Sequence, residues 1–175
     1  MKSILFSAVL VFAATALAAE YPASVKKELY ATNDLRGKKA PEITGVKWLT
    51  KAPETKDKIL VIDFWATWCP PCRATIPELG EWQKKYAKDI AVIGISAERA
   101  DVVKGFMAKT DMPYSVGVDA ERHTESKVGV KGIPHVLVVT PDGVVRWQGF
   151  PLQEDDKLTS EKLEQIIAAW KSGQR

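Results

Sequence analysis

Ile59-Leu-Val-Ile-Asp63-Phe-Trp-Ala66-Thr67-Trp68-Cys69-Pro70-Pro71-Cys72 contains both cysteines of this 175-residue chain. Ile59 to Ala66 is an almost continuous apolar run rich in β-formers, broken only by Asp63. Such a run predicts a central strand covered on both faces, because an exposed face would show polar alternation. From Pro71 to Ala87 the period changes: Ile76, Leu79, Trp82 and Tyr86 fall on a helical stripe, and Lys84, Lys85 and Lys88 gather near its end, where the helix dipole favours cations. Pro77 inside this helix predicts a kink about one turn beyond the cysteines. The two sulfurs therefore sit where a buried strand gives way to a helix, and a thiolate at a first helical turn is stabilised. A redox-active dithiol is the reading this spacing favours. A structural disulfide would close too small a loop to contribute much chain entropy. A zinc site needs two further ligands, for which only His123 and His135 are available.

The bulk numbers fit one globular domain: 46% hydrophobic, 27% charged and a net charge of +3 with both signs interspersed. No basic block argues for nucleic acid. Lys2, the uncharged stretch Ile4 to Leu17 and the small-x-small pattern Ala16-Leu17-Ala18 predict an export signal over residues 1–18, cleaved before Ala19. The stretch is short for a bilayer span, although retention as an anchor is the alternative. No cysteine follows it to carry a lipid. Export places the pair in an oxidising compartment, the periplasm, where a working dithiol needs an outside source of electrons.

Residues 19–39 are polar, with a brief helical possibility over Ser24 to Tyr30; the domain proper is expected over 40–171, with a tail at 172–175. Glu42 to Leu49 alternates like a strand or hairpin arm, and Ile90 to Ser96 is a second buried strand. Asp101 to Lys109 reads as a helix burying Val102, Val103, Phe106 and Met107. Tyr114 to Val118 is a short strand and Arg122 to Val128 a short helix. Val136 to Val139 and Val144 to Gln148 flank Thr140-Pro-Asp-Gly143, a turn signal, and form a hairpin. Thr159 to Lys171 closes the chain as a helix with Leu163, Ile166, Ile167 and Trp170 on one face. This order describes an α/β domain with a mixed sheet and helices on both faces.

The segment Val61-Ile-Asp-Phe-Trp-Ala-Thr-Trp-Cys-Pro-Pro-Cys72 resembles the active-site segment of the thioredoxin superfamily. Pro77 lies five residues after Cys72, where that family kinks its active-site helix, and Gly132-Ile133-Pro134 resembles the loop whose proline is cis beside the dithiol. The leader, the N-terminal extension and the α/β insertion over Asp101 to Val118, before the cis-proline loop, are similar to the exported TlpA/ResA-like thiol–disulfide oxidoreductases. That resemblance implies a thioredoxin-like fold, protein disulfides as substrates, a membrane thiol reductant of the DsbD/CcdA type as electron donor, a monomer and no cofactor; the substrate stays open among apocytochrome c cysteines (service in cytochrome c maturation), a copper-site protein and misformed disulfides.

Within that resemblance, Cys69 is expected to be the exposed nucleophile and Cys72 the buried resolving thiol that breaks the mixed disulfide. Asp63 matches the acid that lies behind the resolving cysteine and exchanges its proton, with a capping carboxylate at a strand end as the bland alternative. Many relatives in the exported branch carry a glutamate three residues after the second cysteine, where this chain has Thr75, which leaves Asp63 as the better relay candidate. Pro134, if cis, presents the backbone of Ile133 to an extended substrate. Trp68 is expected as an exposed platform, Trp65 as core, and Trp48, Trp82, Trp147 and Trp170 as packing. Pro70 and Pro71 lack N–H groups, so the Cys69 thiolate loses donors and the pair should be less oxidising, a reductant. His135 raises an alternative, a soft Cu(I) site with Cys69 and Cys72 in a chaperone or reductase for a copper-site protein. His123 reads as surface. A cysteine peroxidase with the pattern Pro-x-x-x-Thr-x-x-Cys would need proline in place of Ile62 and threonine in place of Ala66.

Overall fold

The computed structural model describes residues 19–173. The expected export signal, and residues 174–175 of the expected tail, lie outside the described residues. In chain order the strands are β1 (Lys47–Trp48), β2 (Ile59–Trp65), β3 (Ile90–Ser96), β4 (Ser115–Val118), β5 (His135–Val139) and β6 (Val145–Gly149). The helices are α1 (Pro70–Lys85), α2 (Ala100–Met107), α3 (His123–Val128) and α4 (Ser160–Ser172), with one 3-10 turn at Glu154–Asp156.

The described strands form one sheet of order β1-β4-β3-β2-β5-β6. β2 pairs in parallel with β3, and β3 with β4, as crossovers through α1 and α2 require. β5 then lies antiparallel to β2 and β6 antiparallel to β5, which makes the sheet mixed. β2 is central and buried along nearly its whole length, as its apolar run demands. Side chains alternate between two cores. Val61, Trp65, Val136 and Val138 pack with α1, α2, α4 and both cysteines, whereas Ile62, Phe64, Leu137 and Val139 pack with Val128 of α3 and with Leu35, Ile43, Val46 and Trp48. One short helix and the N-terminal segment thus cover the second face.

Three local expectations change. Ser24 to Tyr30 is not helical and forms no regular element. Two turns offer too little to offset helix nucleation, and the chain instead reaches the domain: Lys27 Nζ stands 2.8 Å from Asp156 Oδ2, and the Leu35 amide donates to Gln148 Oε1 at 2.8 Å. Only Lys47–Trp48 of the expected arm Glu42 to Leu49 pairs as strand, antiparallel to β4; Gly45, at φ +75, turns the chain just before it. In α2 Val103 is fully buried while Val102 is 44% exposed, so the helix inserts a narrower face than its sequence suggests.

Candidate active site

β2 ends at Trp65, and four residues later Cys69 caps α1 with extended backbone angles (φ −91, ψ 106). Pro70 and Pro71 occupy the first two helical positions, where a missing N–H breaks no intrahelical bond. The Cys72 amide donates to Cys69 Sγ at 3.2 Å, so one backbone donor to that sulfur survives the double proline. The sulfurs are joined as a disulfide with Cα atoms 5.3 Å apart. The expected contrast between an exposed and a buried cysteine is far smaller than anticipated: Cys69 is 3% exposed and Cys72 0%. The reason is the Ile133 carbonyl, which lies 3.8 Å from Cys69 Sγ, on the loop whose Ile133–Pro134 bond is cis. Trp68 is 67% exposed at the rim, while Trp65 is core.

Asp63 shares the face of β2 that carries Val61 and Trp65, the face packed with both cysteines. It is fully buried, and among the described residues neither carboxyl oxygen has a hydrogen-bond partner. Burial without a compensating charge pushes its pKa up to about 8. Tyr114 is its neighbour: burial, and then the Asp63 charge, raise the phenol well above its ordinary value. Gly94, paired with Asp63 across β2 and β3, leaves room for both the Tyr114 ring and the Trp65 indole, since a Cβ there would meet them at 3.3 and 3.1 Å. Thr75 is buried behind Cys72, and its hydroxyl donates to the Cys72 carbonyl at 2.8 Å.

His135 goes elsewhere. It alternates with Val136, which packs with the cysteines, and so sits on the opposite face against Phe64, with ring centroids 6.4 Å apart, and 3.2 Å from Gln148 Nε2. Burial, and then the charge of Lys27, lower its pKa to about 4. The sheet separates this ring from the sulfurs, so the three residues of the copper alternative do not converge. His123 lies between Asp119 and Glu121 at 3.1 and 3.2 Å, with its side chain about half exposed.

Two residues at the site were missed. Glu98, just past the end of β3, accepts from the Thr67 amide at 2.7 Å and from the Thr67 hydroxyl at 2.8 Å, and so grips the loop that leads into Cys69. A carboxylate just beyond the carboxyl end of a buried strand beside the active strand was the available signal, since sites in parallel sheets assemble there. The other is Tyr30, whose carbonyl accepts from the amides of Lys131 and Gly132 at 2.8 and 3.1 Å, next to the cis-proline loop. No sequence signal pointed to it.

The profile of the AhpC/TSA family matches residues 36–148. The chain is 31% identical over 137 residues to thiol-disulfide oxidoreductase ResA of Bacillus thuringiensis, covering 75% of this chain and 76% of that one. It is 32% identical over 143 residues to thiol:disulfide interchange protein HelX of Rhodobacter capsulatus, covering 77% and 78%. A solved structure from Chlorobium tepidum, assigned as thiol:disulfide interchange protein DsbE, superposes with a TM-score of 0.60 at 30% identity over 77% of this chain and 97% of that one. Ile62 and Ala66 still stand where the peroxidase pattern needs proline and threonine, and the relatives bear the names of disulfide-exchange proteins. The chain therefore belongs to the AhpC/TSA family, as a thiol–disulfide oxidoreductase of thioredoxin-like fold.

Proposed function

We propose that this oxidoreductase is a periplasmic reductase of protein disulfides. In the reduced protein the Cys69 thiolate attacks one sulfur of a substrate disulfide, forms a mixed disulfide and releases the other substrate sulfur as a thiolate, which takes up a proton. Cys72 then loses its proton and attacks Cys69 Sγ, closing the enzyme disulfide and releasing the second substrate thiol. One substrate disulfide is reduced and one enzyme dithiol oxidised, and a membrane dithiol donor of the DsbD/CcdA type restores the enzyme. Asp63 is the base for the Cys72 proton: it lies on the face of β2 that packs with the cysteines, and among the described residues no buried cation neutralises it. Ile133 and Trp68 flank the nucleophile as substrate contacts. The composition of residues 1–18 supports export, and resemblance to the exported branch makes apocytochrome c cysteines one candidate substrate, beside a copper-site protein and misformed disulfides.

The observation that carries the direction is the double proline at the start of α1, which leaves the Cys72 amide as the backbone donor to Cys69 Sγ. A thiolate with fewer donors is less stabilised, so the dithiol gives up electrons more readily. Equilibration against glutathione or dithiothreitol is expected to place the potential nearer to about −270 mV than to about −120 mV. A value at the oxidising end overturns the reading. Cys72→Ser should then trap the mixed disulfide, and mass spectrometry of the adduct distinguishes apocytochrome c from copper-site proteins and misformed disulfides.

A further inference from the structure

Ile133, whose carbonyl faces Cys69, is held from both sides by one stretch of the N-terminal segment. Ahead of it, the amides of Lys131 and Gly132 donate to the Tyr30 carbonyl at 2.8 and 3.1 Å, and the Thr32 amide donates to the Gly129 carbonyl at 2.8 Å. Asn33 Nδ2 donates to the Lys127 carbonyl at 3.1 Å, and Ala31 bridges Val130 in antiparallel fashion. Gly129, at φ +77, lets the two stretches meet, since a Cβ there would collide with Thr32 Oγ1.

Beyond Pro134 the link is a single side chain. Gln148 of β6 is fully buried; its Oε1 accepts from the Leu35 amide at 2.8 Å, and its Nε2 donates to the Asn33 carbonyl at 2.9 Å. The second Nε2 hydrogen points to His135 Nε2 at 3.2 Å, which accepts because burial keeps the imidazole neutral. The stretch is anchored upstream by Lys27, paired with Asp156 and seated 3.9 Å from the centroid of the Trp147 ring.

The Ile133 carbonyl lies 3.8 Å from Cys69 Sγ. A carbonyl there can accept from a thiol, but it presents the negative end of its dipole to a thiolate. Its position therefore bears on when Cys69 ionises. We infer that residues 30–35 are a clasp that holds the Ile133 carbonyl against Cys69, with Gln148 as the positioning residue of that clasp. This rests on Cys69 as the nucleophile of the reductase reading. The clasp keeps Cys69 a thiol to higher pH, so that the nucleophile ionises later than the helix start alone would set. The other ionisable groups around Cys69 are Cys72 and Arg73 of α1, Asp63 of β2, Glu98 beyond β3 and Lys131 ahead of Ile133, and the variants below leave all of them in place.

The test is the rate of alkylation of the reduced protein by iodoacetamide across the pH range in which thiols ionise, with the modified cysteine identified by mass. Gln148→Met has a similar volume but cannot donate to Asn33 or His135. It should raise the thiolate fraction of Cys69 about fivefold at a pH below the midpoint, the scale of one hydrogen bond, which is an acid shift of about 0.7 pH unit. A merely structural glutamine would lower the melting midpoint and leave the alkylation profile unmoved. An unmoved profile in a folded Gln148→Met, or a shift to higher pH, overturns the clasp. If Gln148→Met loses its cooperative melt, Asn33→Ala decides alone: an acid shift of about twofold supports the clasp and none overturns it. A wild type alkylated at Cys72 ahead of Cys69 overturns the clasp together with the nucleophile assignment. An acid shift in the variants, alongside a wild-type potential at the oxidising end, supports the clasp and overturns the reductase reading.

Discussion

Replacing Asp63 by asparagine separates a buried neutral acid from a buried ion pair by the pH dependence of stability. The carboxyl titrates near 3.8 when solvated and at about 8 in the folded protein, because burial opposes its ionisation and nothing nearby compensates. The folded state therefore retains a proton that the unfolded chain has already released. Between pH 4 and pH 8 the unfolded state binds fewer protons, so stability falls as pH rises, by ~1.4 kcal/mol per pH unit. This contribution is fully present below about pH 4 and gone above about pH 8. Summed over that window, the loss is about 5 kcal/mol. An asparagine at this position cannot ionise and escapes it. Leaving the new amide unpaired costs about 1–3 kcal/mol, but equally at every pH. The titration of His135 in the same range is common to both proteins. Denaturant melts of the oxidised proteins at pH 4 and pH 8 should therefore show the stability of Asp63→Asn, relative to wild type, improving by about 5 kcal/mol on going to pH 8. A relative stability that stays flat within about 1 kcal/mol, or that worsens at pH 8, means that Asp63 is ionised and paired in the fold, and refutes the reasoning.

Three further outcomes follow from the same structure. As the base for Cys72, Asp63 is only about one-tenth ionised at pH 7, so resolution of a preformed mixed disulfide should accelerate with pH, inflect near 8 and level off above it; Asp63→Asn should abolish that inflection while leaving the attack of Cys69 on an added disulfide much less affected, and stopped-flow traces with both steps slowed equally would remove the residue from this role. Glu98→Ala strips the Thr67 amide and hydroxyl of their acceptor and should destabilise the protein by about 1–3 kcal/mol, read as a lower denaturant midpoint; an unchanged midpoint would show that water replaces the carboxylate without loss. Lys27→Met removes one of two lysines from the buried Asp156 and should cost about 2–4 kcal/mol, with the acid limb of the stability curve weakened because both lysines hold the Asp156 pKa down; a variant as stable as wild type at neutral pH, with unchanged acid melting, would show that Lys162 suffices.

Much of the fold was legible because its signals are local. The run Ile59 to Ala66 could only be a buried strand, Thr140-Pro-Asp-Gly143 could only turn a hairpin, and the stripe from Ile76 to Tyr86 required a helix. β2, β3, α1, α4 and the β5–β6 hairpin appear within a residue or two of where those patterns place them. What failed were short polar segments. Residues 19–39 carry no periodicity of their own, because their groups are satisfied by partners some hundred residues away, such as Gln148 for Leu35 and Gly129 for Thr32.

By itself the sequence determined that two cysteines at a strand-to-helix junction carry the chemistry, that Asp63 is an acid placed in a buried strand, and that the spacer between the sulfurs lacks amides. These follow from composition and spacing, which no packing alters. Tertiary structure alone decided which groups share a face. Strand alternation puts Asp63 with the sulfurs and His135 across the sheet from them, and one residue of register is enough to send a side chain to either side. It also brings Glu98 to Thr67 and Tyr30 to the cis-proline loop. Neither contact has a local cause: each exists only because the sheet and the N-terminal segment bring distant stretches of chain together.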